Sequence, residues 1–593
     1  MSKSKSVAAP AAPRASPPAP QERLWARIVF GGLLAWTFLT LCYPLRDTDF
    51  WWHLKTGEWI LEHGAPPQVD VYTFTDFDKP WIDLHWGFQL LIAGVYHLGG
   101  ANLVILFKAA VITGAVAVAW LAGGKTLPAW LKTLLWVPAV VCISGRGYER
   151  PEMLTQLFLA AWLWVALRVA ERPRLIWLLP VIQLVWVNCH ALFVLGLVVG
   201  AAYVIDCVAR EFAGGKWGLA PADSQPSAKS IIRAGALVAA VCFVNPYFED
   251  GVLFPLELYR KFTVDQEFWK DIGEFRPPLQ YILKFGWRGL FNIYMMSEII
   301  VWLIAAGSFV WLAWRRRRWS VMRVLLFAGF SHLAWKATRN SNIFAIMSLV
   351  VACENFAEAA RAPAAALPEP RALIRYSRGM AAVLTALIVA VVTGGWAAIA
   401  EEGKEFRLGE SPHWFIHEAA EFAGQPGFPN RAFVANNGQA AVYTYHNAPQ
   451  RFVFTDARLE VCSKETFQQY NKILAAMWVG DLAWEKVLEA YSGGEMPVVI
   501  LDSRGETSRM AMSGLLQTPG WRLVFADKTA GVFLTDAQAD QLKLPKVDFA
   551  SLINPDNRPL APPDPRMHPA FPPPGSASPA PDRQTQSPQG ESK

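Results

Sequence analysis

The stretch RDTDFWWH at positions 46–53 directly follows the first apolar run that is long enough to cross a membrane. Asp47 and Asp49 place two carboxylates one residue apart at the edge of a bilayer, where ionisable groups are costly. Such a pair can hold a divalent cation, orient a phosphate through that cation, or take a proton from an incoming hydroxyl. The two tryptophans and His53 that follow suit an interfacial site for sugars or lipid head groups.

The composition indicates a membrane protein. Of the 593 residues, 53% are hydrophobic and only 18% are charged. The apolar residues gather into runs of about 20, the number that an α-helix needs to cross the hydrocarbon core of a bilayer. We therefore interpret the chain as a polytopic membrane protein with one appended soluble domain. The net charge of +6 lies mainly in loops, so it indicates orientation in a lipid bilayer and not nucleic-acid binding.

The apolar runs predict an α-helical polytopic fold with about eleven transmembrane helices. The predicted spans are 24–45, 102–122, 128–145, 152–170, 174–189, 191–209, 229–246, 290–314, 319–336, 340–357 and 379–400. Residues 87–98 are apolar but too short to cross, so they predict a helix at the membrane interface, closed by Gly99 and Gly100. The first span lacks a convincing signal-peptide cleavage site, and we expect it to be retained.

Clusters of lysine and arginine predict the orientation of these spans. They recur in alternating loops, near 3–27, 125, 168–174, 210–233, 315–318 and 361–378. Because cytoplasmic loops carry the excess of positive charge, we place these loops and the N-terminus in the cytoplasm. An odd number of spans then places the C-terminal region on the extracytoplasmic side.

This topology divides the chain into four segments. They are a disordered cytoplasmic tail at 1–23, a multispanning domain at 24–400 with a large first outer loop at 46–101, an extracytoplasmic α/β domain at 401–545, and a disordered Pro-rich tail at 546–593. The α/β assignment follows from strand-like and helical runs that alternate along the segment. The strands are predicted at 432–434, 451–454 and 498–501, the helices near 464–490 and 506–516, and a hairpin at 521–534.

Unusual polar residues gather in the loops that this topology places outside. With the two aspartates they include His53, Asp83, His85, Arg146, Glu149, Arg150, Glu152, Asn188, His190, Asn245 and Arg339. Loops that only reverse the chain do not need such residues, so we expect them to converge in one extracytoplasmic pocket. Simpler roles stay open. The aspartates can end a helix, the arginines can anchor lipid phosphates or pair with glutamates, and the histidines and tryptophans can pack.

These residues carry a resemblance to a known family. A first membrane helix, a large outer loop that opens with Asp-x-Asp, many further helices and an outer α/β domain resemble the GT-C superfamily of integral membrane glycosyltransferases. More narrowly, the chain resembles an uncharacterised group of bacterial multispanning proteins near that superfamily, which implies a bacterial inner membrane. The motifs of the narrower resemblance are DFWWHLKTG at 49–57, PW at 80–81, HW at 85–86, RPE at 150–152, WVNCH at 186–190, NPY at 245–247 and TDAR at 455–458.

The resemblance implies a sugar donor on a polyprenyl phosphate and transfer on the outer face of the membrane. Asp47 and Asp49 would be the catalytic carboxylates and the candidate ligands of a divalent cation, Mg²⁺ or Mn²⁺. The predicted substrate-binding residues are Trp52, His53, His85, Arg146, Glu149, Arg150, His190, Asn245 and Arg339. The arginines would clamp the lipid phosphate, because a guanidinium matches phosphate geometry with two parallel hydrogen bonds.

The leading hypothesis is therefore a GT-C glycosyltransferase whose partners are a polyprenyl-phosphate-linked sugar and membrane lipids. The alternative is a non-enzymatic GT-C-like scaffold that binds a lipid-linked glycan or an envelope assembly partner without cleaving a bond. A transporter would show internal repeats and broken helices with polar residues at mid-depth. The polar residues cluster at helix ends instead, which disfavours that third reading.

Overall fold

The structure is a computed structural model of the chain. It describes residues 20–213, 217–219, 226–264, 273–360, 370–456 and 458–547. Residues 1–19 and 548–593 of the two predicted tails, and Ala457 of the TDAR motif, lie outside the described residues.

The chain forms two compact units. The first contains Met1–Pro44 and Gly99–Gly409, and the second contains Leu45–Leu98 and Glu410–Lys593. The described helices are α1 (Pro20–Leu41), α2 (Asp49–His63), α3 (Trp86–Ala122), α4 (Ala129–Ser144), α5 (Glu152–Arg168), α6 (Leu178–Val187), α7 (Val194–Ala213), α8 (Ala228–Val241), α9 (Phe248–Val264), α10 (Pro278–Phe285), α11 (Trp287–Leu290), α12 (Ile293–Arg316), α13 (Val321–Lys336), α14 (Ser341–Ala359), α15 (Pro370–Val392), α16 (Gly395–Ala400), α17 (His417–Ala423), α18 (Asn437–Asn447), α19 (Lys464–Val479), α20 (Ala483–Tyr491), α21 (Glu506–Gln517) and α22 (Asp536–Gln541).

The regular secondary structure in the described residues of the first unit is helical, and each of the eleven predicted spans coincides with helical structure. Within the described part of the chain, six helical segments are long and apolar enough to cross a membrane. They are Pro20–Leu41, Trp86–Ala122, Ala191–Ala213, Ile293–Arg316, Thr338–Ala359 and Arg371–Val392, and two shorter apolar helices are Ala129–Ser144 and Pro173–Val187. By length and composition these helices support a multispanning protein, and the count of eleven crossings stays a prediction.

Helix α3 is interrupted where the sequence predicts the end of an interfacial helix. Gly99 has φ −162° and ψ 18°, and Gly100 has φ 61° and ψ −159°, so the helical geometry breaks at this pair. The positive φ at Gly100 belongs to the region that side chains with a Cβ rarely adopt. The break is thus confirmed, and it also marks the point where the chain passes from the second unit to the first.

The second unit contains a five-stranded sheet of order β2-β1-β3-β5-β4. The strands are β1 (Arg431–Val434), β2 (Phe452–Val453), β3 (Val498–Asp502), β4 (Trp521–Ala526) and β5 (Ala530–Thr535). Strand β1 pairs in parallel with β2 and β3, while β5 pairs antiparallel with β3 and β4. Every residue of β3 is buried, as the unbroken apolar run predicts for a central strand. The predicted strands, hairpin and helices of this α/β domain are confirmed.

The first outer loop belongs to this second unit. The sequence analysis assigned 46–101 to the membrane domain, but the structure groups Leu45–Leu98 with the sheet. Backbone hydrogen bonds explain the difference, because Phe74 N donates to Val453 O at 3.0 Å and Val453 N donates to Tyr72 O at 3.0 Å. These bonds satisfy the edge of β2, which would otherwise expose unpaired backbone groups.

Two of the sequence motifs account for the packing of this loop. A Cβ on Gly57, in DFWWHLKTG, would collide with the backbone carbonyl of Gln89, so glycine permits α2 and the start of α3 to approach closely. Arg458, in TDAR, is fully buried between two carboxylates. Its Nη2 lies 2.6 Å from Asp70 Oδ1, and its Nε lies 2.9 Å from Asp456 Oδ2.

Candidate functional site

Five charged side chains form a cluster in the first unit, which we call the arginine cluster. Arg146 and Arg150 lie in the turn between α4 and α5, Glu152 opens α5, Glu274 lies in the short helical turn Gly273–Phe275, and Arg339 lies in the turn Thr338–Asn340. Glu274 Oε2 lies 3.1 Å from Arg146 Nη2 and 3.2 Å from Arg150 Nη1. Arg339 Nη2 lies 3.0 Å from Glu152 Oε1, and its Nη1 lies 3.5 Å from Glu274 Oε1.

The cluster carries three positive charges and two negative charges. Burial alone would raise the pKa of Glu274, but Arg339, Arg150 and Arg146 together hold that pKa well below its usual range. The carboxylates are therefore ionised, as the lowered pKa of Glu152 also indicates. The side chains are 9–28% exposed, so the cluster is partly shielded from water and still reachable by a ligand. Three guanidiniums that converge in this way can bind a phosphate group.

Glu149 makes a separate ion pair. Its Oε1 lies 2.7 Å from Lys108 Nζ, and both side chains are fully buried. The same ammonium lies 3.7 Å from the centre of the Tyr43 ring. This contact stabilises the turn between α4 and α5 and leaves Glu149 facing Lys108.

His190 and Asn245 make local contacts in the first unit. His190 Nδ1 lies 2.7 Å from Thr155 Oγ1, on α5. Asn245 donates to the carbonyls of Cys242 and Phe248 at 2.8 and 3.1 Å, and its Oδ1 accepts from Tyr247 N at 2.8 Å. Asn245 thereby holds the turn between α8 and α9.

The two first-loop aspartates lie at the N-terminus of α2 in the second unit. Asp47 is 4% exposed, and its Oδ1 accepts a hydrogen bond from Asp49 N at 3.1 Å. Asp49 is the first residue of the helix, where the helix dipole stabilises a negative charge. Across the described ranges, no group of three or more His, Cys, Asp or Glu side chains is arranged to hold a metal ion.

Trp52, His53 and His85 come together beside this helix. The His53 ring lies 3.6 Å from that of Trp52 and 5.5 Å from that of His85, measured between centroids. His85 Nδ1 lies 3.4 Å from Asp83 Oδ1. Three of the predicted substrate-binding residues thus form one aromatic group in the second unit, while His53 itself is only 3% exposed.

Sequence reasoning missed Glu274 and a chain of four titratable residues in the second unit. His417 Nδ1 lies 2.8 Å from His446 Nε2, His417 Nε2 lies 3.3 Å from Glu410, and His446 Nδ1 lies 3.4 Å from Glu421. The segments that carry them have no motif spacing. Only the fold brings them together, so no local signal could have revealed them.

This histidine pair predicts a pH-dependent stability. Burial, and then the neighbouring His417, lower the pKa of His446 from 6.5 to about 4, although Glu421 opposes this. Between these two values the unfolded chain binds a proton that folded His446 does not, so the folded state loses stability as the pH falls. We expect the stability from this group to be complete above about pH 6.5 and to decline toward pH 4.

Thermal unfolding of the purified protein over that pH range measures the effect. His446→Gln should flatten the dependence, whereas His63→Gln, at an exposed position on α2, should leave it unchanged. If the unfolding temperature of His446→Gln depends on pH as steeply as that of the unaltered protein, the assignment to His446 is wrong.

Comparison with solved structures identifies the fold. Archaeal oligosaccharyltransferase AglB from Archaeoglobus fulgidus, in complex with an inhibitory peptide and a dolichol-phosphate, is similar with a TM-score of 0.51 and 10% identity, over 89% of this chain and 75% of that chain. The Archaeoglobus fulgidus oligosaccharyltransferase in complex with Zn and sulfate is similar with a TM-score of 0.51 and 9% identity, over 87% of this chain and 74% of that chain. ArnT from Cupriavidus metallidurans bound to undecaprenyl phosphate has a TM-score of 0.45 and 12% identity, over 87% of this chain and 98% of that chain.

No family model and no curated protein matches the chain. The fold argument rests on the two oligosaccharyltransferase structures, whose TM-scores exceed 0.5. The chain therefore has the fold of these two oligosaccharyltransferase structures, which agrees with the GT-C resemblance of the sequence.

Proposed function

We propose that this protein, which has a GT-C fold, is a membrane glycosyltransferase that transfers a sugar from a polyprenyl-phosphate donor to an acceptor on the outer face of the membrane. We further propose the eleven-span topology, with a cytoplasmic N-terminus and an extracytoplasmic second unit in a bacterial inner membrane. A dolichol-phosphate bound to the similar AglB supports a lipid phosphate as the donor carrier.

The observation that carries this proposal is the arginine cluster. Arg146, Arg150 and Arg339 come from two distant parts of the chain and share two carboxylates. Three guanidiniums converge on one position there, and the guanidinium is the side-chain group that best matches the geometry of a phosphate. A partly exposed site of this kind suits a phosphate, because hydrogen bonds between charged partners are about twice as strong as neutral ones.

The proposed reaction is a displacement at the anomeric carbon. The acceptor hydroxyl oxygen forms the new bond to that carbon, and the bond between the carbon and the donor phosphate oxygen breaks. The hydroxyl proton passes to Asp49, with Asp47 as the second candidate. The polyprenyl phosphate leaves with the electron pair, and the arginine cluster stabilises its negative charge. Trp52, His53 and His85 are proposed to line the sugar path.

The proposed carboxylates could hold Mg²⁺ or Mn²⁺ only together with oxygen atoms of the donor phosphate, as Mg²⁺ sites commonly do. A cation bound in that way would add positive charge to the leaving phosphate. The steps assigned above to Asp49 and to the arginines do not pass through it.

One observation favours the alternative, a non-enzymatic scaffold. Asp47 is buried, and one of its oxygens already accepts the backbone N–H of Asp49, which gives this carboxylate a structural role. The enzymatic proposal therefore relies on Asp49, which is only partly buried and is the first residue of α2. Retention of glycan binding without any transfer of sugar would select the scaffold.

Arg339→Gln tests the proposed phosphate site. We expect it to weaken binding of a radiolabelled polyprenyl phosphate by roughly 10- to 100-fold, because a hydrogen bond to a charged group contributes about 1.5–3 kcal/mol. Binding is measured on the purified full-length protein in lipid nanodiscs. Arg318→Gln is the matched control, since Arg318 is an exposed arginine of the same unit.

Arg150→Gln provides a second variant in case Arg339→Gln unfolds, which thermal unfolding will detect. The phosphate assignment fails if both variants bind the lipid phosphate as tightly as Arg318→Gln. It also fails if the unaltered protein does not discriminate between polyprenyl phosphate and polyprenol.

A further inference from the structure

An apolar cavity lies between α5, α6 and α7 in the first unit. Its volume is about 280 Å³, including the part that opens outward, and its lining includes Trp162, Val165, Val169, Ile176, Val199 and Tyr203. Ala166 and Gly200 also line it, and both are only half-buried, so the cavity opens sideways between the helices. A cavity with such a lining stays dry and accepts an apolar group.

The cavity lies at the opposite end of α5 from the arginine cluster. Glu152 opens this helix, whereas Val165 lies in its last turn and Val169 follows that turn. Because each residue adds about 1.5 Å along a helix, the 17 residues of α5 separate its two ends by roughly 25 Å. That length is most of the thickness of a hydrocarbon core. In the eleven-span topology proposed above, the cavity therefore lies in the cytoplasmic leaflet.

An exposed tryptophan indicates the depth of the cavity in the membrane. Trp177 ends the helical turn Pro173–Trp177, next to the lining residue Ile176, and is 45% exposed. Tryptophans of membrane proteins are enriched at the level of the lipid head groups. A lipid with its tail in the cavity would therefore have its head group beside this turn.

Two arginines without carboxylate partners stand at the same place. Arg174 lies in the turn Pro173–Trp177, two residues before Ile176. Arg233 lies on α8 and precedes Ala234, which belongs to the same hydrophobic cluster as Ile176. Both arginines are exposed, and within the described ranges neither forms an ion pair with a carboxylate. Both are therefore available to an anion.

The acidic residue closest in sequence to Arg174 is already engaged by other cations. Glu171 Oε2 lies 2.8 Å from Lys125 Nζ, and its Oε1 lies 3.7 Å from Arg168 Nη1. Arg172 adds another positive charge one residue later. The end of the cavity that carries Ile176 is thus surrounded by basic residues, which complement an anionic head group.

We propose that the cavity binds one acyl chain of an anionic phospholipid of the bilayer, and that the head-group phosphate binds Arg174 and Arg233. The apolar lining accounts for the tail, and the two guanidiniums account for the charge, because a guanidinium donates two parallel hydrogen bonds to a phosphate. Basic pockets between membrane helices on the cytoplasmic side are suited to such lipids. The lipid is a bound partner that joins α5, α6, α7 and α8, and it is distinct from the sugar donor.

A phosphatidylglycerol with a photoreactive diazirine in the middle of one acyl chain tests the proposal. The purified full-length protein is placed in phosphatidylcholine nanodiscs that contain the probe, and labelled peptides are identified by mass spectrometry. We expect labelling of peptides from 162–179 and 199–203. Unlabelled phosphatidylglycerol should compete at least roughly tenfold better than added phosphatidylcholine.

Ala166→Leu tests the tail site, because the larger side chain takes up space in the cavity. It should remove most of the labelling of these peptides. Ala161→Leu is the matched control, since Ala161 is also half-buried on α5 but does not line the cavity. Thermal unfolding of both variants detects any loss of fold.

The double change Arg174→Gln with Arg233→Gln tests the head-group site, and both positions are exposed, so the fold should be retained. It should make phosphatidylglycerol and phosphatidylcholine compete equally. The control is Arg315→Gln with Arg318→Gln, which removes two exposed arginines on the same proposed side and should leave the preference intact.

Equal competition by the two phospholipids in the unaltered protein overturns the proposal, as does a preference that survives the change of Arg174 and Arg233. Labelling that Ala166→Leu and Ala161→Leu leave equally strong also overturns it. Stronger competition by polyprenyl phosphate than by phosphatidylglycerol would assign the cavity to the donor lipid instead. Cross-links to a second copy of the chain in place of the lipid would make it a protein interface.

Discussion

Replacement of Asp49 by Asn is expected to lower the rate of sugar transfer by roughly 10²- to 10⁴-fold, the range that general-base catalysis contributes. The amide has nearly the same shape as the carboxylate but cannot accept the acceptor's proton. Asn also stays compatible with the first turn of α2, so the fold should be retained. The measurement is transfer from a polyprenyl-phosphate-linked sugar by purified protein, together with the surface glycan of cells that express each variant.

Glu62→Gln is the matched control, because Glu62 is an exposed carboxylate on the same helix. Asp47→Asn should have a smaller effect than Asp49→Asn, since Asp47 accepts a backbone N–H and an Asn oxygen can do the same. If Asp49→Asn transfers sugar as fast as Glu62→Gln, Asp49 is not the base. If Asp47→Asn lowers the rate of sugar transfer more than Asp49→Asn does, Asp47 becomes the first candidate for the base.

Replacement of Arg458 by Met is expected to destabilise the second unit by about 3–5 kcal/mol, the cost of removing one partner from a buried ion pair. Met fills part of the volume between the Trp81 and Tyr72 rings, which the guanidinium carbon contacts at 4.4 and 4.8 Å. Asp70 and Asp456 then remain buried without their cation. Burial already raises the pKa of Asp456 despite the attraction of Arg458, so loss of the arginine should protonate it.

Chemical unfolding followed by limited proteolysis of the purified protein measures this loss. Arg522→Met is the control, because Arg522 pairs with Asp536 and Asp540 at an exposed position and should change stability little. Combining Arg458→Met with Asp70→Asn and Asp456→Asn should recover part of the loss, since it removes the uncompensated charges. An equal free energy of unfolding in Arg458→Met and Arg522→Met would contradict a structural role for Arg458 with Asp70 and Asp456.

Local patterns predicted most elements of the fold. The long apolar runs located the helices of the first unit, and short strand-like runs located β1, β3 and the β4–β5 hairpin. The glycine pair at 99–100 predicted the break in α3, because its cause is the backbone freedom of those two residues. The three arginines selected as a phosphate clamp also lie together in the structure. Their role in binding lipid phosphate stays a proposal.

Pairings across long stretches of sequence could not be predicted. Arg458 pairs with Asp70, and Arg46 and Arg504 both contact the Trp414 ring, although hundreds of residues separate Arg458 from Asp70 and Arg504 from Arg46. Periodicity reports which face of an element is buried, but it does not report which distant element covers that face. Glu274 could not be predicted for the same reason, since its sequence neighbours carry no motif. It also explains why the first loop was assigned to the helices and not to the sheet.

The second unit is assembled from Leu45–Leu98 and from the chain that begins at Glu410, with the whole of Gly99–Gly409 between them. During translation the first of these stretches leaves the ribosome early and must wait for its partner, on the order of tens of seconds at about 5–20 residues per second. Tyr72, Trp81 and Asp70 are exposed throughout that interval. We therefore expect the biogenesis of this protein to be helped by a holding chaperone, or by slow release from the translocation channel, until β2 and Arg458 have been synthesised.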